Sequence, residues 1–223
     1  MYAAWLTVIR GLGESETKRD EVFAKGLVLD PAYGPLYQSK AIALLRRWGG
    51  HRGEVERFAR QAAQLGGDEA GASMEAIVAL AVLDYVGVDI FVNTYRFHKE
   101  DWSRQKTAFE DLRTRFYGAE NYLNFYCLMA CLQNDPETAA ALFKEIGDKP
   151  DGDIWGDEEY EYFNEWKQWA DGNGPRPHVG SGPDPRMMAF GAIAVTGAIL
   201  LVPAAVVVIL LIIYHKQRKG RAW

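Results

Sequence analysis

Between Arg186 and His215 the chain runs for 28 residues, 187–214, without a charged side chain. The segment reads MMAFGAIAVTGAILLVPAAVVVILLIIY, apolar on every helical face. About 20 such residues cross the hydrocarbon core of a bilayer as a helix, so this length spans it with room for tilt. A helix buried in a soluble core is rarely so long and so uniformly apolar. Pro203 lies mid-segment, where membrane helices tolerate it, and Tyr214 and His215 lead into Lys216, Arg218, Lys219 and Arg221. A single transmembrane helix over 187–214 with a basic tail over 215–223 is the expectation.

That segment divides the composition. Residues 172–223 hold six Lys/Arg against one acid, a balance of +5, whereas residues 1–171 hold 19 against 29, a balance of −10. The near-average whole, with a net charge of −5, is therefore a cancellation. An acidic folded part with one short basic run argues against nucleic-acid binding. Two cysteines, Cys127 and Cys131, exclude a disulfide scaffold.

Residues 1–171 read as successive helices separated by Gly, Pro and capping residues, giving an all-α fold. Helices are expected over 2–12, from Ser15 to about 29, and over 36–48, 54–65, 70–86, 101–117, 121–133, 136–146 and 158–170. Asp30–Pro31 stops the second, because proline cannot continue the hydrogen-bond ladder. Asp135-Pro136-Glu137 supplies a cap, a proline at the first helical position and an acid in the first turn. Val55, Phe58, Ala59, Ala62 and Leu65 share one helical face. Residues 88–95 alternate poorly and are read as a loop or short turn. Residues 172–186, rich in Gly and Pro without periodicity, are read as a linker.

The stretch FAKGLVLDPAYGPLYQSKAIAL at 23–44 resembles a tetratricopeptide junction, a helix ending in a Leu-Asp-Pro turn before a tyrosine-bearing helix. NDPETAAA at 134–141 is similar. Together with the landmarks LLRRWGG at 44–50 and the Ile-Gly…Trp-Gly spacing at 146–156, the chain resembles a bacterial domain-of-unknown-function family with tetratricopeptide-like helical repeats. The resemblance covers roughly residues 20–170 and implies a stack of helical hairpins without catalytic residues. The membrane segment lies outside it.

Few residues carry chemistry. Cys127 and Cys131, four apart, share a helix face among Phe125, Leu128, Met129 and Leu132, which reads as buried inert thiols rather than a metal or redox pair. The acids Asp148, Asp151, Asp153, Asp157, Glu158, Glu159, Glu161 and Glu165 miss the register of a calcium loop. They read as a solvated helix start favoured by the dipole, or as a docking surface for a basic partner centred on Asp151, Asp153, Asp157, Glu158 and Glu159. Trp48, Trp102, Trp155, Trp166 and Trp169 read mostly as packing, with Trp166 and Trp169 of the last helix as the alternative candidates to meet a membrane surface or a partner. His51, His98, His178 and His215 are scattered, and no nucleophile, phosphate-loop or metalloprotease motif occurs. No catalytic residue, metal, cofactor or small-molecule substrate is expected.

Within 187–214, Ala194 and Ala198 form a small-xxx-small pair, as do Ala192 and Thr196. Gly191 and Gly197 flatten the surface, a face on which another helix could pack. The basic tail places itself in the cytoplasm by the positive-inside rule, putting the helical domain outside. The first residues, with Arg10 interrupting an apolar run, do not read as a signal peptide, and this favours a tail anchor with the domain in the cytoplasm. The expected function is a non-catalytic, membrane-anchored accessory subunit that stabilises or assembles a larger membrane complex, possible hosts being respiratory, photosynthetic or secretory. Its partners would be other subunits and the lipid bilayer. The alternative is a free-standing membrane-tethered adaptor or receptor recruiting soluble partners.

Overall fold

The structure is a computed structural model that describes residues 1–88, 91, 94, 102–115, 119–155 and 161–178, leaving aside the side chains of residues 69, 119–121 and 153. The chain divides into two units, 1–191 and 192–223, and the second falls wholly outside the described residues.

All regular structure among the described residues is helical, as the sequence pattern predicts. The helices are α1 (Tyr2–Gly11), α2 (Glu16–Leu29), α3 (Gly34–Ala43), α4 (Glu54–Leu65), α5 (Gly67–Val86), α6 (Trp102–Arg115), α7 (Ala119–Leu132), α8 (Pro136–Ile146), the four-residue α9 (Gly152–Trp155) and α10 (Glu161–Ala170). A 3₁₀ turn, Arg46–Trp48, lies between α3 and α4. Local chemistry accounts for several boundaries. The Ser15 hydroxyl accepts from Lys18 N at 3.3 Å to open α2, and Asp135 accepts from Thr138 N at 3.0 Å to open α8. Between α2 and α3, Asp30 accepts from Ala32 N at 2.9 Å, and the Tyr37 hydroxyl donates to Pro31 O at 2.7 Å, so the turn is held from both sides.

Each helix packs on its successor through most of the chain. Alternate helices pack as well, α1 on α3, α3 on α5 and α8 on α10. Contacts therefore pass between near neighbours in sequence, the pattern of a helical stack. The centre is α5, against which α3, α4 and α6 lie. Its residues 76–83 are buried without a break, which explains why no amphipathic period shows there. At the α4–α5 junction a Cβ on Gly71 would stand 2.2 Å from Ala63 O, so the two helices approach as closely as they do only because Gly71 lacks one.

Three local expectations change. The third helix ends at Ala43 rather than 48, because Leu44 and Leu45 turn into the core and the chain leaves through Gly49 at φ +90. Residues 88–95 are not a loop where they are described. Val88, Phe91 and Thr94 are helical, Phe91 N donates to Gly87 O at 3.0 Å, and Val88 and Phe91 are buried. Within the acidic run, Gly152–Trp155 forms a helical turn that drives Ile154 and Trp155 into the core. Among the described residues no helix is long and apolar enough to cross a membrane. The expected span over 187–214, with Gly191, Ala194, Gly197 and Ala198, lies outside them, as do the expected tail and residues 179–186 of the expected linker.

Candidate functional site

The C-terminal helices assemble the aromatic and acidic residues singled out above. Phe143 of α8 meets Phe163 of α10 edge-on at 4.9 Å between ring centroids, and Trp155 of α9 lies 5.3 Å from Phe163. The series continues along α10, Tyr162 to Trp166 at 6.1 Å and Trp166 to Trp169 at 5.3 Å. The spacing 162, 163, 166, 169 puts these rings on one helical face, and edge-to-face packing follows from the aromatic quadrupole. Asn124 of α7 fixes the ladder's position: its side-chain oxygen accepts from Trp155 Nε1 at 2.8 Å and from Asp151 N at 3.2 Å.

Trp166 is fully buried, so its ring is core and is not offered to a partner or a membrane. Its four-residue offset from Tyr162 predicts burial as well as exposure, and the core side wins. Trp169 is partly buried against the same core. Arg176 extends the site. Its guanidinium lies 5.5 Å from the centre of the Trp166 ring and donates to Cys131 O at 3.1 Å and Leu132 O at 3.3 Å, capping the last carbonyls of α7.

The acids behave less uniformly than a docking strip would. The Asp151 carbonyl accepts from Ile154 N and Trp155 N, at 3.1 and 2.9 Å, and so starts α9. The side chain of Asp153 and all of Asp157, Glu158 and Glu159 lie outside the described residues. Cys127 and Cys131 are both buried and free. Burial first, and then the adjacent Cys131 thiol, push the Cys127 thiol well above its ordinary value. Among the described residues no group of three or more His, Cys, Asp or Glu side chains is arranged to hold a metal.

Asp135 joins more elements than any motif suggested. Besides capping α8 it accepts from Trp102 Nε1 at 2.7 Å and from Lys106 Nζ at 3.1 Å, tying α6 to α8. Burial alone would raise its carboxyl, but the donors Thr138, Trp102 and Lys106 outweigh it and hold the group at about 2. At the opposite end of the chain, Met1, Trp5, Val8 and Leu12 are exposed on α1. Their spacing makes one apolar stripe that faces away from the core residues Ala3, Leu6 and Ile9. The sequence predicts this helix and argues against a leader, but the stripe, with its offsets of four, three and four, was missed.

No protein-family model, curated protein or solved structure matches this chain. The family assignment based on residues 23–44, 134–141 and the Gly-containing landmarks is therefore withdrawn. No described helix supports a membrane span, and the residues on which that expectation rests, 187–214, lie outside the described residues. An Asp-Pro turn, an N-cap and alanine at a close helix contact are what any short helix-to-helix connection requires, so they do not distinguish one family from another.

Proposed function

We propose that the chain is a non-catalytic accessory subunit of a membrane protein complex, its helical domain a protein-binding stack held at the bilayer by residues 187–214. The observation that carries this reading is the uncharged 28-residue run itself, set beside an acidic helical domain. A stack whose helices contact near neighbours offers extended surface for protein contacts. The exposed apolar stripe of α1 supports the same reading, because contiguous exposed apolar surface marks interaction sites. Tethering would raise the effective concentration of a membrane partner to about millimolar, so weak contacts suffice.

Gentle solubilisation of the native membrane followed by identification of what co-migrates is the test. Stoichiometric association with integral-membrane subunits is expected, and migration as a lone monomer would sink the proposal. The expected cytoplasmic placement of the domain is tested separately. A cysteine introduced into 216–223 should react with an impermeant reagent added outside intact cells, and reaction only after lysis reverses the topology.

A further inference from the structure

Cations stacked on aromatic rings recur through the domain, and most are also bonded to an acceptor. Lys40, 5.8 Å from the Phe23 ring centre, pairs with Asp20. Lys106, 5.9 Å from Trp102, pairs with Asp135. Arg176 on Trp166 donates to two carbonyls. Arg10 and Arg47 differ. Both guanidiniums lie 5.1 Å from the centre of the single Trp48 ring, and Arg47 lies 5.5 Å from Tyr85. Neither side chain has a hydrogen bond or ion pair among the described residues, and Arg10 Nε is buried without an acceptor. Stacking engages the face of a guanidinium and leaves its in-plane N–H donors unspent.

The corner is rigid. Arg10 comes from the last turn of α1, Arg47 and Trp48 from the 3₁₀ turn, and Tyr85 from the last turn of α5. Arg19 of α2 pins the turn by donating to Ala43 O at 2.6 Å and Trp48 O at 3.4 Å. Trp48 N donates to Leu45 O at 2.8 Å and Gly50 N to the same carbonyl at 3.2 Å, while a Cβ on Gly50 would stand 1.8 Å from Leu44 O. The carbonyl ends of α1 and α5 supply about half a negative charge each. They offset roughly one of the two guanidinium charges and leave the other. Burial first, and then the charge of Arg47, lower the Arg10 pKa against an opposing pull from Tyr85, the direction a missing counter-ion dictates.

We propose that Arg10 and Arg47, both held over the Trp48 ring, form a binding site for a phosphate group, carried either by free phosphate or by a lipid headgroup. A phosphate presents several oxygens to two planar donor forks and as a dianion neutralises both cations, which a single carboxylate does not. The site is independent of the accessory-subunit proposal, since a soluble or a tethered domain would carry it equally.

The full chain, labelled with ¹⁵N-tryptophan and reconstituted in phosphatidylcholine nanodiscs, provides the test through the indole N–H signal of Trp48, assigned by its loss in Trp48→Phe. Millimolar inorganic phosphate should shift that signal saturably. Arg47→Gln, at an exposed position without hydrogen bonds, should weaken the response about tenfold. Arg47→Lys should fall between, and Arg176→Gln should leave it unchanged. Unchanged signals from the other indoles report that each variant is folded. A response to discs containing phosphatidic acid, without one to inorganic phosphate, assigns the group to a headgroup. A saturable response to inorganic phosphate assigns it to the free ion. Silence in both arms, or an equal response in wild type and Arg47→Gln, overturns the site.

Discussion

Trp166 and Trp48 each carry a guanidinium on the ring, and in both cases the indole N–H is buried without a partner among the described residues. The indoles therefore do not distinguish the two corners; the arginines do. Arg176 donates from Nη2 to the two carbonyls that end α7, which closes that corner. Arg10 and Arg47 crowd one ring with donors unspent, which leaves the other corner open. Burial follows the same division, with Trp166 fully buried and Trp48 only partly. One arrangement is tied into the fold by hydrogen bonds, whereas the other is held by ring contacts alone among the described residues.

The largest effect expected from that difference is in stability. Trp166→Ala removes a fully buried indole from between Tyr162 and Trp169. It should cost about 3–5 kcal/mol, measured by denaturant unfolding. Trp48→Ala should cost clearly less. Equal losses would mean that the open corner is as structural as the closed one, and the comparison would fail.

Gly50→Ala comes next. The added methyl would meet the Leu44 carbonyl, which is backbone and cannot swing aside. The loop must shift, at about 1–3 kcal/mol, and the Trp48 signal should move even without ligand. Gly49→Ala strains φ +90 without a clash, because nothing lies within 4 Å, so it should cost about 1 kcal/mol. A Gly50→Ala variant as stable as wild type would show that the turn is not rigid.

How far these corners were visible beforehand depended on whether a residue's role was local. The caps at Ser15 and Asp135, the Asp30–Pro31 stop and the apolar face of α4 are set within a few residues, and they appear where the pattern puts them. Trp166 read as ambiguous because its local ring neighbours, Tyr162 and Trp169, fit a buried or an exposed face alike, while Arg176, which ties the ring's cation to the end of α7, lies outside the helix. The open corner was illegible for the same reason. Arg10, Arg47 and Tyr85 meet only when α1, the 3₁₀ turn and α5 pack together, and the Arg-Arg-Trp-Gly-Gly string looked like a family landmark rather than part of a charge cluster. The short α9 was hidden by its acidic flanks, which outweighed the two apolar residues that anchor it.

Next to Tyr85 lies a second charge without a partner among the described residues. Burial alone pushes the Asp84 carboxyl from 3.8 up to about 6. The folded state therefore holds this proton more tightly than the unfolded chain. Below about pH 4 the group costs nothing, and stability is lost as pH rises from there through 6. Asp84→Asn should remove the loss and raise stability at pH 7 by about 1 kcal/mol, a figure discounted because the carboxyl is partly solvated. The gain should vanish near pH 4. A gain that persists in acid would assign the effect to helix propensity or packing instead.

The smallest effect separates the two corners most directly. Arg176→Ala deletes two hydrogen bonds to carbonyls and a ring contact at a partly exposed site, so about 0.5–1 kcal/mol should be lost. Arg47→Ala deletes ring contacts only and relieves repulsion of Arg10, so stability should change by less than about 0.5 kcal/mol, in either direction. Adding phosphate reverses the order. A ligand that binds only the folded state stabilises it by mass action, so wild type and Arg176→Ala should both gain stability with phosphate concentration while Arg47→Ala gains much less. Thermal unfolding of the three proteins across a phosphate series measures this at constant ionic strength, with sulfate-free chloride as the compensating salt. Parallel curves for all three would mean that the donors of Arg10 and Arg47 are simply solvated, and the two tryptophan corners would then differ in geometry but not in use.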